Sequence, residues 1–105
     1  MSAEITSQLL ERSLDEIRRL VLSGLGVCPA KVYLFGSRAV GGARENSDID
    51  VAVLPLAPLP YGTLARIRDS LEESTIPWRV DLVDLSTAPP ALQARVRAEG
   101  IAWTD

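Results

Sequence analysis

Two short apolar runs, Lys31–Phe35 and Asp48–Leu54, are joined by only about a dozen residues, and that link opens on Gly36-Ser37. Each run is β-branched and bounded by turn residues, the signature of a strand. The second run starts Asp48-Ile49-Asp50-Val51, so two carboxylates stand at i and i+2. On a strand such residues point to one face, about 6–7 Å apart. Two anions that close repel, and neither gains by burial without a cation. A strand that presents them side by side suits a hard divalent metal, and Mg²⁺ is the expected ion. Two such ions about 3.5–4 Å apart are the usual apparatus for phosphoryl or nucleotidyl transfer. Gly36-Ser37, with ten residues between it and Asp48, supplies a tight backbone approach and a hydroxyl for phosphate oxygens.

The remaining pattern places these strands in a small α/β domain. Leu9, Leu10, Leu14, Ile17, Leu20 and Val21 recur at helical spacing, predicting a helix over Ser7–Val21 that Gly24 and Gly26 end. Ser37–Asn46 reads as a loop with one helical turn after Ser37. Pro55, Pro58 and Pro60 stiffen the exit from the second strand. A second helix is expected over Tyr61–Ser74, a third strand over Trp78–Leu85 and a last helix over Ala91–Glu99. Ile101-Ala102-Trp103 reads as a short terminal strand or a docking tail. A full helix separates the second and third strands, whereas the first two are closely linked. The expected fold is therefore α/β (α+β), a mixed sheet of three or four strands with helices on one face. The 105 residues and 47% apolar content fit one domain spanning residues 1–105.

Composition removes several chemistries. Histidine is absent and Cys28 is the lone cysteine, which excludes imidazole bases, Ser-His-Asp and Cys-His arrangements and soft-metal sites. Only oxygen ligands remain. A single thiol beside Pro29 in an apolar neighbourhood reads as a small buried side chain and fits a reducing, cytoplasmic setting. Met1–Thr6 has no basic segment leading into an apolar stretch, so no secretory signal is expected, and no run is long enough to span a membrane. Eleven basic residues against fourteen acidic ones give a net charge of −3 without a basic stripe. Direct nucleic-acid binding is not expected. A nucleotide with its metal remains compatible, because the metal brings its own charge. Self-association is left open.

Strand parity singles out a third carboxylate. If Val80 and Leu82 of the third strand join the core, Asp81 falls on the same face as Asp48 and Asp50. With adjacent strands about 4.8 Å apart, it would stand beside that pair. Asp84 has the other parity and would lie near the strand end. Asp48, Asp50 and Asp81 are thus the expected metal ligands and catalytic residues. Gly36, Ser37, Arg38 and Ser47 are the expected nucleotide-binding positions, with Arg44 weaker than Arg38. Trp78, Trp103, Tyr33 and Phe35 are expected to pack.

An apolar strand, Gly36-Ser37, a ten-residue gap, Asp48-Ile49-Asp50 and a later Asp81 together resemble the DNA polymerase β-like nucleotidyltransferase superfamily. The wording Gly36-Ser37-Arg38-Ala39 and Ser47-Asp48-Ile49-Asp50 is similar to its minimal nucleotidyltransferase (MNT) branch, antitoxins that pair with HEPN-domain toxins. The resemblance runs from the first strand to the final helix. It implies transfer of AMP from ATP, with two Mg²⁺ ions, to a hydroxyl of a partner HEPN toxin, with tyrosine the expected acceptor. Asp48 and Asp50 would bridge the metals, Asp81 would complete the acceptor side, and Ser37 and Arg38 would hold the terminal phosphates. HEPN toxins carry an Arg-x4–6-His motif, so a chain without histidine is not that component. The alternatives are an antitoxin that acts by binding alone, or a nucleotidyltransferase subunit for a small-molecule acceptor.

Overall fold

Ile17, Val21 and Leu25 lie on one stripe of α1 (Ala3–Leu25), which the computed structural model places across the inner face of the sheet. The structure describes residues 3–44 and 47–104, with side chains from Thr6 onward. Met1 and Ser2 of the signal reading, and Glu45 and Asn46 at the end of the loop reading, lie outside the described residues. α1 is longer than the periodic stripe alone predicts. Gly24 lies inside it, and a Cβ there would meet Ile67 Cγ1 on α3 (Thr63–Glu73). Gly24 is thus a contact point between two helices. Gly26, at φ 59°, makes the actual stop, its amide donating to the Leu22 carbonyl at 3.0 Å.

The strands are β1 (Ala30–Phe35), β2 (Ile49–Pro55), β3 (Val80–Asp84) and β4 (Ile101–Ala102). Among the described residues they form one sheet in the order β3-β2-β1-β4. β1 runs antiparallel to β2, with Phe35 opposite Asp50, after a connection whose only helix is the single turn α2 (Ser37–Val40). β3 returns parallel to β2, as a strand separated by the full helix α3 can. The tail docks as a strand: β4 pairs antiparallel with β1, and the Trp103 amide donates to the Val32 carbonyl at 2.8 Å.

The two faces of β2 carry different burdens. Ile49, Val51 and Val53 are fully buried and pack with Val32, Leu34 and Leu82 under α1 and α3. Burial of each such side chain contributes about 1.5–3 kcal/mol. The expectation of helices on one face holds for α1 and α3 but not for α4 (Pro90–Glu99). Val96 of α4 packs with Ala52 and Leu85 on the opposite face, against Tyr33, Phe35 and Leu54. The reason is parity. Tyr33, Phe35 and Leu54 present apolar surface on that side too, and a sheet apolar on both faces needs cover on both. Cys28 is half-buried, less enclosed than its apolar neighbourhood suggests.

Candidate active site

The turn after β1 sets the first wall of the site. Gly36 adopts φ 74° and ψ −157°, a region that essentially only glycine occupies. A Cβ there would collide with the Asp50 carboxylate oxygen Oδ2. The chain at Gly36 therefore lies directly against the middle acid of the site. α2 follows at once, with the Ala39 amide donating to the Gly36 carbonyl at 3.0 Å. Ser37 is the first residue of that turn and half-buried.

The second wall is the β2–β3 pair. Asp50 lies opposite Asp81 in the parallel register, and Ile49 opposite Val80. Val80 and Leu82 pack on the core face, which turns Asp81 to the outer one, with Asp50. Asp48, one residue before β2, has the parity of Asp50. Three carboxylates so share one end of one face. Asp48 and Asp81 are exposed and Asp50 is half-buried. Burial pushes the Asp50 carboxyl above its ordinary range, and the charges of Asp81 and Asp48 push it further the same way. Asp84, of the other parity, does something else. Its carboxylate accepts from the Ser86 amide at 2.9 Å and the Ser86 hydroxyl at 2.6 Å, capping the 3-10 turn Leu85–Thr87.

The fit of this donor set to Mg²⁺ follows from its chemistry. Carboxylate oxygens are the hard ligands that ion takes, and a divalent cation offsets the repulsion from Asp81 and Asp48 that adds to burial in raising the Asp50 pKa. Among the described residues, no three acidic or cysteine side chains close into a group that could hold a metal unaided. Mg²⁺ is usually bound by one or two carboxylates together with substrate phosphates rather than by a protein cage.

Arg38 and Ser47 arrive beside the acids through protein contacts. The Arg38 Nη2 donates to the Ser47 carbonyl at 2.7 Å, and its guanidinium lies over the Trp78 ring at 5.7 Å from the centroid. The Ser47 hydroxyl accepts from the Arg44 amide at 2.8 Å, closing the loop just before Asp48. Ser37, Arg38, Ser47 and the three acids thus gather at one end of the sheet. The link from Arg38 to Trp78 has no signature in the sequence, because the two residues lie 40 positions apart and share no pattern.

The polymerase beta nucleotidyltransferase family model matches residues 28–103. The chain belongs to that family. This nucleotidyltransferase domain is 38% identical over 66 residues to the probable protein adenylyltransferase MntA of Haemophilus influenzae, covering 63% of this chain and 58% of that protein. It is 39% identical over 69 residues to the protein adenylyltransferase MntA of Shewanella oneidensis, covering 66% of this chain and 49% of that protein. It is also 31% identical over 103 residues to a spectinomycin 9-adenylyltransferase of Staphylococcus aureus, covering 98% of this chain and 38% of that enzyme. The chain thus spans about half the length of the curated relatives it matches.

Solved structures agree with the fold. A toxin–antitoxin crystallised with AMP-PNP superposes on this nucleotidyltransferase domain with a TM-score of 0.70 at 33% identity, covering 87% of this chain and 73% of that one. A complex of the tri-AMPylated Shewanella oneidensis HEPN toxin with its MNT antitoxin gives 0.66 at 28% identity, covering 90% and 72%.

Proposed function

We propose that this domain transfers AMP from ATP to a hydroxyl of a partner HEPN-type toxin, tyrosine being the expected residue, and so acts as the antitoxin. The observation that carries the reading is the parallel register that sets Asp81 beside Asp50, with Gly36 packed against the same carboxylate. The MntA relatives and the AMPylated toxin complex support the donor, the reaction and the kind of partner.

Asp48 and Asp50 would hold Mg²⁺, two ions in the full arrangement, with Asp81 as third ligand. When bound, the metal supplies positive charge against the triphosphate and the developing negative charge of the transition state. The chain's own part is positioning. The turn from Gly36 through Ser37 offers a close backbone approach and a hydroxyl to the terminal phosphates. The acceptor oxygen attacks the α-phosphorus, and the bond from that phosphorus to the bridging oxygen of the β-phosphate breaks. Pyrophosphate leaves, and the acceptor proton passes toward the Asp81 carboxylate. Little else is asked of the protein, because positioning and charge neutralisation carry most of this chemistry. ATP and Mg²⁺ set the proposed reaction in the cytoplasm.

The decisive experiment incubates the protein with labelled ATP, Mg²⁺ and the product of its neighbouring gene. An AMP mass increment on a partner side chain, lost in the Asp48→Asn/Asp50→Asn double variant, is the expected result. Neutralisation of the toxin by that inactive variant at stoichiometric dose would replace catalysis with simple binding. A second reading draws on the spectinomycin enzyme, whose likeness extends over 98% of this chain. In that reading the acceptor is the hydroxyl of a small molecule held by another chain, and label would appear on the small molecule instead of on protein.

A further inference from the structure

The three segments that carry the candidate active site meet at one side chain. Arg38 is the second residue of α2, directly after Ser37. Its Nη2 donates at 2.7 Å to the carbonyl of Ser47, the residue before Asp48. Its guanidinium covers Trp78, three residues before Asp81, at 5.7 Å from the ring centroid. Trp78 in turn packs against the main core with Val80, and Ala39, the neighbour of Arg38, packs there too. The Arg79 carbonyl, next in the chain, accepts from the Ile49 amide at 2.9 Å. One planar cation therefore ties the Gly36-Ser37 turn to the entry of β2 and the entry of β3.

We infer that Arg38 is a positioning residue, which with Trp78 fixes the spacing of Asp48 and Asp50 against Asp81 rather than holding a phosphate. The inference rests on the proposed nucleotidyl transfer for its functional meaning and on these contacts for its geometry. The guanidinium is suited to the task because it donates in its plane while stacking through its face. A lysine offers a point charge with neither property. The Ser47 carbonyl is held at the last position before the acids, so its release would let Asp48 drift relative to Asp81. Misplacement of reacting groups by about 1 Å costs on the order of 10²-fold in rate.

The test is a mutant cycle on Arg38→Ala, Arg38→Lys, Trp78→Leu and Trp78→Phe, read in three ways. Hydrogen exchange of the 47–50 segment needs neither metal nor transfer, and it should quicken alike in Arg38→Ala and Trp78→Leu. Mn²⁺ affinity in the presence of a non-hydrolysable ATP analogue should fall about tenfold in both, and no further in the double variant, since both changes remove one bridge. In transfer, kcat should fall about tenfold while KM for ATP moves less than about twofold. Trp78→Phe should restore much of each loss, and Arg38→Lys little. The inference is overturned if Arg38→Ala raises KM for ATP while Trp78→Leu leaves every reading unchanged. It is likewise overturned if Arg38→Lys behaves as wild type. A wild-type protein that binds Mn²⁺ but transfers nothing would remove the proposed function, and the exchange and Mn²⁺ cycle would still decide the role of Arg38.

Discussion

A side chain at Gly36 and the carboxylate of Asp50 cannot occupy this fold together, because a Cβ on the glycine would stand on Oδ2. Gly36→Ala therefore has two effects. It places a non-glycine residue at φ 74° and ψ −157°, costing about 1–3 kcal/mol. It also displaces the half-buried acid at the centre of the site. A lower melting temperature and loss of AMP transfer are expected together. Transfer at the wild-type rate by a folded Gly36→Ala protein would break the proposed link between the turn and the acid.

Asp50 makes a prediction about pH. Burial, then Asp81 and Asp48, raise its pKa in the folded protein above the ordinary value of 3.8. The folded state thus holds this proton more tightly than the unfolded one. The resulting stability is fully present below about the ordinary value, is lost as pH rises through the raised folded value, and stays absent above it. Asp50→Asn should accordingly melt higher than wild type at pH 7 without ligands, and the gap should close in acid. Melting curves across pH check this. With ATP and Mg²⁺ the order should reverse, because the variant forfeits stabilisation by bound ligand.

Much of this site is legible in the sequence because strand parity is a two-state property. Once Ile49, Val51 and Val53 are assigned to the core, Asp48 and Asp50 have only one face left, and Val80 and Leu82 place Asp81 the same way. α4 resists such reading. Its buried contact is Val96, assisted by Leu92, within a helix otherwise of an initial proline, alanine, arginine and polar residues, so no apolar stripe marks which face of the sheet it covers. The surface it meets is visible only after β1 and β2 pair and bring Tyr33, Phe35, Ala52 and Leu54 together. Gly24 misleads for a related reason. Its value is the room it leaves for Ile67, a contact between helices far apart in the chain.

Asp81 and Asp84 lie three residues apart on one strand and should respond in opposite ways. Asp81→Ala should abolish transfer and leave the melting temperature nearly unchanged, since its side chain is exposed beside two other acids. Asp84→Ala should keep transfer but cost about 1 kcal/mol, the usual loss when a capping carboxylate is removed, here from Ser86. Paired assays and melts of both variants suffice. A dead Asp84→Ala beside an active Asp81→Ala would mean that the site faces the other side of the sheet.

The last prediction concerns the outer edge of β3. Among the described residues β3 has β2 on one side and no strand on the other. Its outward Leu82 carbonyl is covered by Arg68 of α3, which donates from Nε at 3.3 Å and Nη2 at 2.9 Å. An open edge strand is a template for pairing with another chain, and a charged side chain laid along it is one way proteins block that pairing. Removing the cover in Arg68→Ala takes away this hydrogen bonding, a net loss of about 0.5–1.5 kcal/mol. It also leaves the Leu82 carbonyl free to accept from a second molecule. A modest fall in melting temperature and concentration-dependent self-association are therefore expected, measured by sedimentation at rising protein concentration. Transfer per folded molecule should stay near wild type, because Leu82 packs in the core away from the acidic face. An Arg68→Ala protein with the wild-type sedimentation profile would show that the edge is guarded by something other than this side chain.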